Sequence, residues 1–467
     1  EKAINDIHKD SVEILERTGV RVHCNSALEL LGNAGCTING TVVKIPASLI
    51  EDALAQAPSK FVIYDREGTE ALHLGEQKSY FGSTDGALFF DGPSTNGRRP
   101  FVLEDCKAAA TIMDALPNID FVSPFGVPDD VPAEISQIYA FENTVNYTTK
   151  PVTIGCDNVE TIAGIVEIAS VIRGNLEALR EKPFLFPFCA HPSPLTYSES
   201  ETEQILWLAE RGLPVSINAA ISLGATSPIT LAGAVVQANA EALAGVVMSQ
   251  LKRRGTPIII GTCPGIMDMS TGNFAIEAPE HALTSAAYIE VVRHYKIPVW
   301  GNAGCTHSKI VDQQAAAEAF MGCITSSLAG ADIVYDSGFL DSGMTNSISM
   351  LVMVDEILGM TKRLIRGIKV NEQTRAKSLI AKVGPGGNFL TEEHTLEHFR
   401  EEFWFPSVMD RETYDKWSSG GKLTMGDRIN EKTKRLLETH NPKPLQDEIK
   451  EKIKEIRKKA VQKIKPE

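Results

Sequence analysis

A short apolar strand, a loop and a long amphipathic helix recur eight times between residues 79 and 366 of the 467-residue chain, and this alternation limits the fold more than any other feature. Five of the strands open on a proline followed by β-branched or aromatic residues: Pro151-Val-Thr-Ile-Gly155, Pro183-Phe-Leu-Phe186, Pro214-Val-Ser-Ile-Asn218, Pro257-Ile-Ile-Ile-Gly261 and Pro298-Val-Trp-Gly301. Proline is tolerated at a strand's first residue, and near-continuous apolar runs mark strands covered on both faces. Ile119-Asp-Phe-Val-Ser123 and Ala331-Asp-Ile-Val-Tyr335 fit without the proline. An eighth strand is expected at Ser79-Tyr-Phe-Gly-Ser83, although the run 87–90 competes for that place. Helical patterns fall at 103–116, 133–147, 159–173, 199–211, 229–254, 278–295, 313–329 and 347–366. Strict alternation implies a parallel sheet, and eight repeats is the number that closes a barrel. The alternative, an open doubly wound sheet, would be expected to carry GxGxxG at a first strand–helix turn, and none occurs.

The expected fold is therefore α/β, a (β/α)8 TIM barrel over 76–367 that carries the chemistry. An N-terminal α+β cap over 1–75 has helices at 3–17, 26–33 and 47–57 and a small strand pattern at 42–45, followed by the stretch 60–65. A C-terminal helical extension over 368–467 is broken at Gly384-Pro-Gly-Gly387. Its last stretch puts Leu445, Ile449, Ile453, Ile456, Ala460 and Ile464 on one helix face, which reads as a helix packed on the barrel with its lysine-rich side in solvent.

A net charge of −14 and the lack of a basic stripe argue against nucleic-acid binding. Eight cysteines without a CxxC pair read as reduced thiols of a cytoplasmic protein. The polar start Glu1-Lys2-Ala3-Ile4-Asn5-Asp6 is unlike a signal peptide, and no run reaches the ~18 apolar residues of a membrane span, so no membrane association is expected.

Barrels of this kind place their chemistry at the C-terminal ends of the strands. Those ends supply, in order, Asp85, Phe125, Asp157, Phe188-Cys-Ala-His191, Asn218, Cys263, Trp300-Gly-Asn302 with His307 beyond, and Asp336-Ser-Gly-Phe339. Cys189, His191, Cys263, Cys305 and His307 could in principle hold zinc, but no HExxH, HxH or CxxC accompanies them, and no metal is expected. Neither a GxSxG elbow nor a paired-carboxylate motif points to hydrolysis. Aromatic residues, by contrast, gather near the strand ends: Phe89, Phe90, Phe125, Phe186, Phe188, Trp300, Tyr335 and Phe339. Rings of this kind can hold a quaternary ammonium through cation–π attraction.

Several segments together resemble the trimethylamine methyltransferase family, in its members that lack pyrrolysine. They are Ile14-Leu-Glu-Arg-Thr-Gly-Val20, Ser227-Pro-Ile-Thr-Leu-Ala-Gly-Ala234, Asn239-Ala-Glu-Ala-Leu-Ala-Gly245, Gly330-Ala-Asp-Ile-Val-Tyr335, Asp341-Ser-Gly-Met-Thr345 and Val354-Asp-Glu356. The resemblance spans nearly the whole chain. It implies a barrel that passes a methyl group to the Co(I) corrinoid of a separate partner protein. The corresponding pyrrolysine position should fall within 338–344, where every residue here is standard. A corrinoid-binding DxHxxG is absent, so the cofactor is expected on the partner and none on this chain. A homo-oligomer is also expected.

Without the special residue, the implied donor is a quaternary amine. Its nitrogen already carries the charge that lets it leave as a neutral tertiary amine, so alignment and desolvation suffice. Glycine betaine leads the expected donors, with dimethylglycine as product. A non-catalytic betaine-binding barrel and a zinc-assisted methyltransferase are the competing readings. Expected substrate contacts are Phe125, His191, Asn218, Trp300, Asn302, His307, Tyr335 and Phe339. Asp336, Gly338, Asp341 and Gly343 are expected at the cavity floor. Replacing Trp300 by Ala is expected to weaken binding and leave the fold largely intact.

Overall fold

The computed structural model describes residues 1–93, 95 and 97–464. Eight parallel strands close into a barrel. The first is Tyr80–Phe81, the fourth Phe188–Pro192, the fifth Val215–Leu223, the sixth Ile258–Met267, the seventh Val299–Asn302 and the eighth Ile333–Tyr335. The fourth to eighth pair in order, and the eighth pairs with the first through Ile333↔Tyr80 and Val334↔Phe81. Short second and third strands complete the ring through the parallel bridges Gly82↔Phe121, Val122↔Val152, Val152↔Leu185 and Gly155↔Phe188. The fourth strand runs further than its Pro183 start suggests, because the pairing that begins at Leu185 continues to Pro192.

Between the strands lie the helices Leu103–Ala115, Ala133–Asn146, Val159–Arg173, Glu199–Arg211, Leu231–Lys252, Pro279–His294, Gln313–Ala329 and Ile348–Ile365, within two residues of the expected bounds. Leu231–Lys252 is long and apolar enough to cross a membrane by length and composition, which the sequence reading did not anticipate. It is buried in the helical ring, where Gln237, Asn239, Glu241 and Gln250 are buried with it.

Side-chain alternation decides what fills the barrel. Phe121, Phe186, Ile259, Trp300, Ile333 and Tyr335 point inward and form one apolar cluster. An antiparallel hairpin, Phe61–Tyr64 with Glu70–Leu74, adds Ile63, Leu72 and Leu74 to the same cluster and closes the N-terminal end of the barrel. At the opposite end a small sheet lies over the strand ends. Phe89–Asp91 pairs with Thr345–Ser347 in parallel, while Arg99–Pro100 and Phe339–Leu340 add antiparallel edges. The run 87–90 thus belongs to this upper sheet, and 79–83 supplies the barrel strand.

The terminal helix Asp447–Ile464 buries Ile453, Ile456 and Ala460. Close approach is possible because Gly164 faces it: a Cβ there would lie 3.0 Å from that of Ala460. An ion pair from Arg457 to Glu142 at 2.8 Å fixes the helix further.

Candidate active site

A cavity of about 260 Å³ opens at the C-terminal ends of the barrel strands. The first strand's end contributes Thr84, Asp85 and Gly86, and the sixth contributes Cys263, with Ile276 from the loop that follows. Trp300, Asn302 and Cys305 come from the seventh strand and its loop. Asp336, Phe339 and Gly343 follow the eighth. The volume is at the small end for ligand pockets, suited to a compact organic molecule.

Trp300 forms the apolar base. Its ring meets Tyr335 edge-on at 4.2 Å between centroids and stacks over Phe188 at 6.4 Å. The indole lies in the space that a side chain at position 261 would need: a Cβ on Gly261 would fall 0.9 Å from Trp300 Cδ1. Glycine at that position therefore lets the ring lie flat against the sixth strand. Phe339 forms a side wall, backed by Phe125 in a stacked pair at 6.2 Å.

The polar part of the wall is dominated by two carboxylates. Asn302 Nδ2 donates to Asp336 Oδ2 at 2.6 Å, while Asn302 Oδ1 is buried without a partner. Asp85 accepts weakly from the Gly155 backbone N–H at 3.3 Å. Both carboxylates open onto the cavity but are surrounded by protein, and burial raises Asp85 to about 7 and Asp336 to about 6. The Gly155 hydrogen bond and the Asn302 amide act the other way without cancelling desolvation. Behind Ile276, the Glu277 carboxyl is fully buried with neither oxygen partnered, and burial holds it well above the usual range.

Five of the ten described non-glycine residues with positive φ surround this mouth: Phe125, Glu277, Asp336, Asp341 and Ser342. Left-handed backbone at such residues is costly and tends to gather at functional sites.

The remaining expected site residues are distributed as follows. Tyr335 lies beneath Trp300, fully buried, its hydroxyl 3.3 Å from that of Thr153. Asn218 stands at the register of Gly261 with its Nδ2 unpartnered, and it is not among the lining residues. His191 faces the helical layer, stacked on Tyr197 at 4.3 Å and 3.8 Å from Glu241. Its neighbours Phe188 and Ala190 occupy the other face of the strand. Burial lowers the His191 imidazole to about 4. His307 Nδ1 is hydrogen-bonded to the Ser342 hydroxyl, away from the lining. Gly338 packs behind Phe339, at φ +97, where a Cβ would lie 2.7 Å from Leu351. Asp341 sits on the rim in ion pairs with Arg98 at 2.9 Å and Lys309 at 3.5 Å.

Cys263 and Cys305 line the cavity, whereas Cys189 and His191 do not. Among the described residues, no three of His, Cys, Asp or Glu form a group able to hold a metal. Thr84, Gly86 and Ile276 are lining residues that carried no signal in the sequence. Asp85 was visible there as a strand end and no more.

A comparison with solved structures finds the monomethylamine methyltransferase MtmB of Methanosarcina barkeri. It is similar at a TM-score of 0.53 and 11% identity, covering 93% of this chain and 86% of that one, a likeness of fold. Among curated proteins, trimethylamine methyltransferase MttB of Desulfitobacterium hafniense is 31% identical over 95% of this chain and 90% of its own length. The glycine betaine methyltransferase of the same species is 31% identical over 97% and 95%. The family model for trimethylamine methyltransferase (MTTB) matches residues 1–463. The chain, with an aromatic-based cavity at the mouth of an eight-stranded barrel, belongs to the trimethylamine methyltransferase family.

Proposed function

We propose that this protein moves a methyl group from a quaternary amine to the Co(I) corrinoid of a separate partner protein, releasing a tertiary amine. The observation that carries the reading is the composition of the mouth cavity. Trp300 and Phe339 offer ring surface, Asp85 and Asp336 offer negative charge, and no lysine, arginine or histidine is among the described lining residues. Such a lining suits an organic cation. Relatives named as trimethylamine and glycine betaine methyltransferases support a methylated-amine donor. Glycine betaine, the donor expected from the resemblance, shares its trimethylammonium head with choline, and the head is the part that these rings would face.

The transfer balances without an acid or base. Co(I) supplies the electron pair for the new Co–CH3 bond, the C–N bond breaks, and its pair stays on nitrogen as the neutral amine's lone pair. The protein's part is to hold the head against Trp300 and to exclude water, presenting one methyl to the open mouth. Asp85 and Asp336 attract the cation before transfer and lose that attraction as the charge disappears. They therefore contribute to binding the donor and favour release of the neutral product, more than they lower the barrier.

A homo-oligomer is part of this reading. Ile368, Val370, Leu390, Leu396 and Phe403, all in the C-terminal extension, are each more than 60% exposed, and exposed apolar side chains of this kind suit a subunit contact.

The test is spectroscopic. Reduced corrinoid is incubated with the protein and a donor panel, and conversion to methyl-Co(III) is followed. Conversion that needs both protein and a quaternary amine is expected. Conversion with trimethylamine and with none of the tetraalkylammonium donors would overturn the proposal.

A further inference from the structure

Hydrogen-bonding capacity in the cavity leans the same way as its charge. Asp85 and Asp336 present carboxylates, and Asn302, only 2% exposed, presents an unpartnered Oδ1. Two of the lining's side-chain donors are already engaged. Asn302 Nδ2 is held by Asp336 at 2.6 Å, and Thr84 Oγ1 donates to the Asp85 carbonyl at 2.9 Å. Of the lining residues, Trp300 keeps a buried Nε1 without a partner, and it is a neutral donor. Arg98 and Lys309, which reach the rim at Asp341, are paired to that carboxylate. Of the two histidines among the expected substrate contacts, His191 faces the helical layer and His307 is tied to Ser342.

We infer that the donor subsite selects quaternary ammonium ions of net positive charge over zwitterionic betaines, with Asp85, Asp336 and the Asn302 Oδ1 as the selecting groups. This rests on the reading of the cavity as an amine site and reverses the donor ranking expected from the resemblance. The physical reason is that a permanent cation meets two carboxylates and an acceptor oxygen, whereas a betaine brings a carboxylate into a small enclosure that already holds two and offers it no cation among the described lining residues. In a partly dehydrated site such like charges repel strongly. The orphan Asn302 Oδ1 points the same way. A buried acceptor without a partner is unfavourable until something electropositive, such as the polarised methyl groups or the hydroxyl of a choline-like donor, is placed against it.

Choline and glycine betaine isolate the effect, since they share the trimethylammonium head and differ chiefly in CH2OH against COO⁻. Calorimetry on the full chain at pH 8 and low salt, with tetramethylammonium, choline and glycine betaine, gives the test. Choline should bind roughly tenfold or more tighter than glycine betaine. Asp336→Asn and Asp85→Asn keep the side-chain shape, and thermal melts confirm folding. Each should weaken choline and leave glycine betaine unchanged or tighter, so that the preference shrinks. Glycine betaine binding as tightly as choline would overturn the inference and leave the amine site standing, with Arg98 and Lys309 as the compensating charges. A preference undiminished in both variants would overturn the role given to the carboxylates. If none of the three probes binds, the amine-site reading fails and the inference falls with it.

Discussion

Truncating Trp300 to alanine would remove two things at once, and their sizes differ. The residue is 5% exposed and belongs to the barrel's apolar cluster with Ile259, Ile333 and Tyr335. Its ring sits 4.2 Å from Tyr335 between centroids, and it fills the space beside Gly261, which has no side chain of its own to occupy it. A large-to-small change at such a site costs about 3–5 kcal/mol of stability. Losing the ring face beneath an ammonium head costs about 0.5–2 kcal/mol of binding, or roughly 2- to 30-fold in Kd. The expectation from the sequence, binding weakened and fold largely intact, is therefore altered: the fold suffers more than the site. Trp300→Phe separates the two, because it retains a π face while giving up part of the volume. Urea titration should show the largest fall in midpoint for the alanine variant and a smaller one for phenylalanine. Calorimetry with tetramethylammonium should rank the affinities Trp, Phe, Ala. An alanine variant that binds tetramethylammonium as the parent does would refute the placement of the donor on this ring.

Four further outcomes follow from the geometry. Burial raises Asp85 to about 7 and Asp336 to about 6, above the ordinary 3.8 of the unfolded chain, so the folded protein holds more protons between those values. Stability should accordingly fall as pH rises from about 4 to about 7, and Asp85→Asn should flatten the urea-midpoint profile; an unchanged slope would count against the burial argument. In steady-state assays with a quaternary donor, Asp336→Asn should raise KM several-fold with kcat preserved, and a fall in kcat alone would contradict a ground-state role. Gly261→Ala should displace the Trp300 ring, seen as altered tryptophan fluorescence with weakened ammonium binding, since its Cβ would fall 0.9 Å from the indole. Ile453→Ala, fully buried in the terminal helix, should cost about 2–5 kcal/mol in denaturant titration without changing donor affinity.

The sequence revealed the barrel because every helix carries its own local pattern and five strands announce themselves by proline. It revealed Trp300, Asn302, Asp336 and Phe339 as mouth residues for a related reason: each stands where a parallel strand ends. Strand phase was harder to read. In the fourth strand Phe188 and Ala190 face inward, so His191 faces the helices, and an unbroken apolar run gives no clue to that parity. The upper sheet was hidden for another reason. Phe89–Asp91 pairs with Thr345–Ser347 about two hundred and fifty residues later, a contact with no local periodicity to betray it. Asp85 lacked any motif, and its importance comes from the company of Asp336 across the cavity.

The hairpin Phe61–Tyr64 with Glu70–Leu74 turns the barrel into a cul-de-sac, because Ile63, Leu72 and Leu74 stop its lower end. Traffic is then confined to one doorway, which the proposed reaction must share between the amine and the corrinoid-bearing partner. Order of arrival follows from that geometry: the amine has to enter first, and the departing amine has to wait until the partner lifts away. An excess of partner over amine would blockade the empty enzyme, so turnover should peak and then decline as partner concentration climbs.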